Sequence, residues 1–192
     1  MKSLFVKEKL LYDGSQLTSH FAYKKYGIPG NSIIAFIGAV KVDLGNMVDI
    51  EDVINKQPIA SDEMLNFIIE LYDMDLVGTI CLQRLFICII QDELNRFLRG
   101  YNLKGFGISR DGDDLYYDGR KLSVSIATVS PISALIHTAL NIKSTGVPAG
   151  VAVACLEEIG INHSELGERI LDQFVKEFMD IQFARTKVNW VK

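Results

Sequence analysis

Residues 113–150 read DDLYYDGRKLSVSIATVSPISALIHTALNIKSTGVPAG. Asp118-Gly119-Arg120 spells a turn, because Asp and Gly tolerate the backbone angles that a tight reversal needs. The turn delivers Lys121 onto a strand. Side chains alternate along a strand. Lys121, Ser123 and Ser125 therefore share one face, and Leu122, Val124 and Ile126 the other. A second strand ends at Asn141, with Ser133, Leu135, His137 and Asn141 on one face. Ile132, Ala134, Ile136, Leu140 and Ile142 lie on the opposite face. A three-residue loop at Ser130-Pro131-Ile132 predicts Ser125 opposite His137 and Lys121 opposite Asn141. That register joins polar to polar and apolar to apolar, the pairing that burial favours. The loop Ser144-Thr145-Gly146 follows directly. A fixed cation facing a hydroxyl-bearing loop is a way to hold an acyl or carboxylate group.

The polar face of this hairpin has two explanations. It can meet water, as one face of many antiparallel sheets does. Alternatively it floors a pocket, where Lys121 would stabilise a carbonyl, carboxylate or phosphate. His137, set among apolar neighbours, fits a structural role as readily as a chemical one.

Working outward, the first third of the chain is strand-rich. Leu10-Leu11-Tyr12 runs into a turn at Asp13-Gly14. A short helix is expected from Gln16 to Tyr26, stopped by Gly27 and the Pro29-Gly30 turn. The β-branched run Ser32–Ile37 and the run Leu65–Tyr72 predict strands. A long helix is expected from Asp75 to Leu98, with Ile80, Leu82, Leu85, Phe86, Ile89, Ile90 and Phe97 as its apolar stripe. Gly100 is its stop. Lys104–Ile108 is expected to return as a strand, and Val151–Glu158 to form a helix broken near Gly160. The last helix is expected over Ser164–Arg185, with Ser164 as N-cap and Leu166, Ile170, Leu171, Phe174, Phe178 and Ile181 buried. Strands linked by hairpins and packed on helices predict an α+β fold with a central, mostly antiparallel sheet flanked by helices.

The chain of 192 residues suits one domain. The net charge of −4 advertises no basic face, so no nucleic-acid partner is expected. Cys81, Cys88 and Cys155 lie in apolar runs and match no zinc spacing, which predicts reduced core cysteines. The N-terminus is too short and too charged for a signal peptide. The most apolar run, Ile80–Ile90, carries Gln83 and Arg84 and falls short of the ~20 residues that a membrane span needs. A cytoplasmic protein without a membrane partner is the expectation.

Residues 38–52 hold Asp43, Asp49, Glu51 and Asp52. On a strand, Asp49 and Glu51 would share a face. Paired carboxylates there, with Asp52, are candidates to hold Mg²⁺ beside a phosphate. The competing explanation is a solvated loop with a helix N-cap.

The order of elements from the long helix through GRK, the hairpin, ALNI and the Thr-Gly loop resembles the core of the lipoate–protein ligase, octanoyltransferase and biotin–protein ligase group. In that group a lysine follows a short turn, as G-x-K-[IL], and contacts the acyl carbonyl or acyl-adenylate. Gly119-Arg120-Lys121-Leu122 is similar, so the resemblance gives Lys121 that role. In octanoyltransferases a strand ending in ALN leads to a loop with a catalytic cysteine before a glycine. Ala139-Leu140-Asn141 followed by Thr145-Gly146 is similar, with threonine at the cysteine position. The ligases of the group use ATP with Mg²⁺ and need no cysteine, but their arginine- and glycine-rich loop has no counterpart here. The resemblance covers roughly residues 80–175, about half of the chain, and implies a ligase- or transferase-like core there. Taken whole, YDGSQL (12–17), IAFIG (34–38), MVDIED (47–52) and LQRL (82–85) are similar to the mainly archaeal family called domain of unknown function 366.

These features support an acyl- or cofactor-protein ligase or transferase-like enzyme acting on a small carboxylic acid, with an acceptor protein as second partner. Lys121 and Thr145 are its candidate catalytic residues. Ser123, Ser125, His137, Asn141 and Gly146 are its candidate ligand contacts. The alternatives are a non-catalytic binder of a carboxylate or nucleotide, or an assembly protein. An exposed edge strand would allow a homodimer.

Overall fold

A computed structural model describes residues 1–100, 107–148 and 150–191. The elements run β1 (Lys2–Val6), α1 (Phe21–Tyr26), β2 (Ser32–Val42), α2 (Ile50–Asn55), β3 (Ile59–Leu71), α3 (Leu76–Gly100), β4 (Ser109–Asp111), β5 (Asp114–Tyr117), β6 (Arg120–Lys121), β7 (Ser123–Val129), β8 (Ala134–Asn141), α4 (Leu156–Ile159) and α5 (His163–Ala184). Five strands form the main sheet in the order β1-β2-β3-β8-β7. Every neighbouring pair is antiparallel except β1 with β2. Strands β4, β5 and β6 form a second, three-stranded antiparallel sheet. The α+β architecture with a mostly antiparallel sheet is therefore borne out.

Alternation assigns the two faces of the main sheet. Ile33, Ala35, Leu65, Phe67, Ile69, Ile136 and Leu140 point to α3 and α5 and form one core. At its centre, the Phe86 ring sits edge-on to Phe67 and Phe174, with centroids 5.4 and 4.7 Å apart. Edge-to-face packing suits the ring quadrupoles. The opposite face carries Ile34, Phe36, Met64, Ile68 and Ala139, under Tyr12, Phe21 and Ala22. That cover is partial, and the uncovered end of this face becomes a cavity.

Gly38 lets the N-terminal segment cross the sheet. A Cβ there would lie 1.6 Å from the Leu10 carbonyl oxygen. Without one, Leu10 N donates to Ile37 O, Tyr12 N to Ala39 O and Lys41 N to Tyr12 O. The crossing carries Tyr12 onto the sheet face.

Several expectations change. The three-residue hairpin loop is overturned. Val129 pairs with Ala134, so four residues, Ser130–Ser133, make the turn. Ser130 is the cause: its hydroxyl accepts from Ser133 N at 2.9 Å and Ile132 N at 3.2 Å. The register moves by one, and Ser125 faces Thr138 while Ile126 faces His137. Lys121 and Ser123 belong to different strands of different sheets, β6 and β7. Residues 50–55 are a helix, so Asp49 and Glu51 share no strand face. Asn162, not Ser164, caps α5, accepting from Ser164 N and Glu165 N. The helix expected at Val151–Glu158 is only α4. Cys81 is exposed on the outer face of α3, Cys88 is intermediate, and only Cys155 is buried. The strand expected at Lys104–Ile108 falls largely outside the described residues; β4 begins at Ser109.

Candidate functional site

A two-residue hairpin positions Lys121. Asp118 and Gly119 have φ of 50° and 70°, and Tyr117 pairs with Arg120. Two central residues with positive φ match the right-handed twist of the flanking strands, which is why Asp-Gly is favoured there. Tyr116 then pairs with Lys121, so Asp114, two residues back on β5, shares the face of the lysine. Lys121 Nζ lies 2.9 Å from Asp114 Oδ2. The lysine side chain is 40% exposed, open enough to meet a ligand.

Lys121 forms part of the wall of a cavity of about 600 Å³. That volume is typical of a small-molecule site. Its walls come from the ends of β2 and β3, the strand β7, His137 and Asn141 of β8, the α2 segment, and Val147, Pro148, Val151 and Val153. Arg120 holds the last of these walls in place. It forms a two-pronged ion pair with Glu158 and donates to Val153 O at 3.3 Å. Ala154 N donates to Lys121 O at 2.9 Å.

A bulge brings Ser61 into the cavity. The β2–β3 ladder steps from Gly38–Met64 to Val40–Ser61, so β3 spends one residue more than β2. An extra residue reverses the alternation. Ser61 and Ile59 thereby face the cavity beside Val40 and Val42. The Ser61 hydroxyl is buried and has no hydrogen-bond partner among the described residues.

His137 stands in the floor, buried and stacked on Tyr12 with ring centroids 3.6 Å apart at 11°. Its Nε2 is 3.0 Å from Asn66 Oδ1. The Asn66 amide nitrogen donates to Met64 O and Gly38 O, so its oxygen is the acceptor. His137 therefore carries its proton on Nε2. Burial drives its pKa down to about 3, so the ring is neutral. Burial also pushes the Tyr12 phenol up, with Asp13 adding to the effect.

The other polar residues are mostly committed. Ser123 Oγ accepts from Leu115 N at 2.8 Å. Ser125 Oγ accepts from Gln83 Nε2 at 2.8 Å and lies 2.9 Å from Thr138 Oγ1. Asn141 Nδ2 reaches Ala154 O at 3.2 Å and Lys121 O at 3.4 Å, tying β8 to the far wall. Asp113 pairs with Arg84 at 2.8 Å and accepts from Gln83 at 2.9 Å. Burial raises its pKa against the pull of Arg84.

On α2, Asp49 is the N-cap and accepts from Glu51 N at 2.8 Å and Asp52 N at 3.3 Å. Asp52 lines the cavity and Glu51 does not. Burial, reinforced by Asp49, raises the Asp52 pKa, while the Lys121 ammonium opposes the rise. Among the described residues no group of three or more His, Cys, Asp or Glu is arranged to hold a metal ion.

Thr145 and Gly146 lie outside the cavity and are exposed. Thr145 O accepts from Asp62 N at 3.0 Å, and Gly146 has φ 76°. A Cβ on Gly146 would lie 2.2 Å from Asp62 Oδ1. The loop is thus built to pack on the β3 bulge. The next helix starts ten residues later, at Leu156. Beside the loop, Glu63 sits between Lys143 and Lys9, whose hydrogen bonds hold its pKa at about 2.

Lys121, Ser123, Ser125, His137, Asn141, Asp49 and Asp52 thus surround one cavity. The sequence reading missed Tyr12, Ser61, Asn66, Asp113 and Asp114. Asp114 had a usable signal, since hairpin alternation places it on the face of Lys121. Ser61 had none, because the bulge that turns it inward follows from pairing.

The fold is similar to that of solved biotin and lipoate protein ligases. A biotin protein ligase from Aquifex aeolicus, solved in complex with biotin and ATP, superposes with a TM-score of 0.61, covering 91% of this chain and 69% of that one. At 12% identity, this likeness is one of fold alone. The chain belongs to the family described as "Domain of unknown function (DUF366)", which it matches over residues 1–189. A "Protein of Unknown Function from Pyrococcus horikoshi" is 40% identical, with a TM-score of 0.90 over 100% of this chain and 99% of that one. The "Uncharacterized protein MJ0805" of Methanocaldococcus jannaschii is 35% identical over 187 residues, 95% of this chain and 81% of its own length. Both resemblances read from the sequence hold. No helix among the described residues is long and apolar enough to cross a membrane.

Proposed function

We propose that the cavity binds a small organic acid, and that the protein acts on this acid as a ligase- or transferase-like enzyme with Lys121 as the contact to its carboxylate or acyl group. One observation carries this reading: a lysine fixed by a rigid Asp-Gly hairpin stands in the wall of a cavity sized for a small molecule. A positioned ammonium lowers the energy of charge that develops on a carbonyl or acyl oxygen. The fold's solved neighbour with biotin and ATP supports a small acid as ligand. An acceptor protein would be the second substrate.

ATP with Mg²⁺ is the co-substrate that activation of such an acid calls for. The residues lining this cavity do not fit a free triphosphate. Asp49, Asp52, Asp113 and Asp114 line it against Lys56 and Lys121, and no arginine is among the described lining residues. Four carboxylates near a polyanion are repulsive.

A second reading, a binding protein without turnover, is favoured by the position of Thr145. It stands at the nucleophile's place in the sequence pattern yet is exposed outside the cavity.

The test is a thermal-shift panel of small carboxylic acids, including biotin, lipoate and octanoate, with and without Mg²⁺ and ATP. Wild type and Lys121→Ala run side by side. A ligand at a hundredfold excess over its dissociation constant adds about 2.7 kcal/mol to the native state. An acid that raises the midpoint of the wild type but not of Lys121→Ala is the expected result. No shift with any acid, or shifts that Lys121→Ala keeps in full, overturns the proposal. Turnover of a bound acid separates the first reading from the second.

A further inference from the structure

The charge on the cavity wall narrows the ligand further, and this step rests on the reading of the cavity as an acid-binding site. Four carboxylates line it. Asp113 is answered by Arg84 and Gln83. Asp114 is answered by Lys121. Asp49 is answered by the two backbone N–H groups that it caps. Asp52 is left. It is partly buried in the first turn of α2, and its carboxylate makes no hydrogen bond or ion pair among the described residues. The basic side of the wall is weaker. Lys56 is exposed, and the charge of Lys121 is already offset by Asp114.

An acid with no other charge would add a further anion to this wall. Coulomb repulsion among partly buried charges amounts to several kcal/mol at about 4 Å. An acid that also carries an ammonium brings no net charge. Its carboxylate can take the two donors of Lys121 that Asp114 leaves free, since an ammonium has three. Its ammonium can take Asp52.

A second, independent feature marks the cavity as the site of a polar ligand. The Ser61 hydroxyl is buried in the cavity wall without a partner among the described residues, at 4% exposure. An unmade hydrogen bond of a buried polar group is costly. An ammonium offers three donors, which is more than a single carboxylate consumes. The Ser61 hydroxyl can equally donate to a carboxylate, so it calls for a polar ligand, and the choice of a zwitterion rests on Asp52.

We infer that the ligand of this cavity is a small amino acid or a similar zwitterion, with its ammonium held by Asp52 and its carboxylate by Lys121. No metal ion is required for this pairing.

The test compares amino acids with the same acids lacking the α-amino group: alanine with propionate, leucine with 4-methylpentanoate, phenylalanine with 3-phenylpropionate, and glutamate with glutarate. Binding to wild type, Asp52→Asn and Lys121→Ala is measured by titration calorimetry and thermal shift. For at least one pair, the amino acid is expected to bind about tenfold or more tightly than its partner. Asp52→Asn should erase that advantage while leaving the melting temperature of the free protein in place. Equal binding within every pair, with Lys121 still needed, overturns this inference and leaves the acid-binding reading intact. The same holds if Asp52→Asn keeps the preference. Absence of binding by every acid with and without an amino group, or binding that ignores Lys121→Ala, overturns both.

Discussion

His137 makes the stability of this protein depend on pH in a way that can be worked out in advance. The imidazole is buried, its pKa falls from 6.5 to about 3, and burial is the cause. In the unfolded chain the ring titrates near 6.5. Between these values the unfolded chain binds a proton that the native state refuses. Stability therefore rises with pH through this window and is full above about 6.5. Each step of one in pH inside the window changes stability by about 1.4 kcal/mol. At pH 5.0, well inside it, the loss is about 2 kcal/mol relative to pH 7.5. At pH 5.5 it is about 1.4 kcal/mol by the same linkage. The control is His137→Gln, whose amide can still donate to Asn66 Oδ1 but does not titrate. Urea unfolding of both proteins from pH 7.5 to 5.0 gives the difference in stability at each pH. That difference cancels the carboxylates, such as Asp52 and Asp113, whose own pKa values are raised. A wild type that loses about 2 kcal/mol more than the variant over the range supports the geometry. Parallel curves would refute it, because the ring would then be protonated in the native state or open to water.

Two further predictions concern the scaffold. Gly38→Ala should lower stability by about 3 kcal/mol or more, because the new Cβ would lie 1.6 Å from backbone that cannot yield without breaking the Leu10–Tyr12 crossing. A change in the urea midpoint corresponding to less than about 1 kcal/mol, on the order of an ordinary surface substitution, would speak against that crossing. Arg169→Ala should cost about 2 kcal/mol, a figure placed below the range for fully buried pairs because the arginine is half exposed. The substitution takes one of two guanidinium partners from the buried Glu93 and removes a cation that sits 5.0 Å from the Phe97 ring centroid. Unchanged unfolding by urea would show that Arg96 alone satisfies the carboxylate.

Local signals were legible and relayed ones were not. Asp118-Gly119 encodes its turn within two residues, so the placement of Lys121 could be read directly. The long helices could be read because burial repeats along them. Seven of the residues singled out in advance meet at one cavity, since β7, β8 and α2 converge there. The hairpin register was misread by one residue because Ser130 closes a four-residue turn through its own side chain. That is chemistry which polar-to-polar matching does not see. Ser61 was out of reach because its direction depends on a bulge between strands distant in sequence. Tyr12 was read as part of a short run before a turn. Its stacking on His137 exists only because Gly38 admits the crossing segment. Thr145 was chosen by its place in a pattern, and the pattern carries no information about which way the loop faces.

The wall of the cavity also bears on how an acid could react there. A covalent acyl-enzyme needs a nucleophile with a base beside it. Ser123 and Ser125 spend their oxygens on Leu115 N and on Gln83 and Thr138. Ser61 has no partner among the described residues, so none of them stands next to it as a base. Cys155 is buried and does not line the cavity. Lys121 is held by Asp114 at 2.9 Å, which fixes where its head group can meet an anion. The groups that remain are suited to holding and polarising an acid. If the protein does chemistry, the nucleophile must therefore arrive with the acceptor, as it does when an amine attacks an activated acid directly. If no acceptor engages the bound acid, the same wall makes a receptor. The two outcomes share one ligand and one set of contacts, so the binding measurements come before any search for turnover.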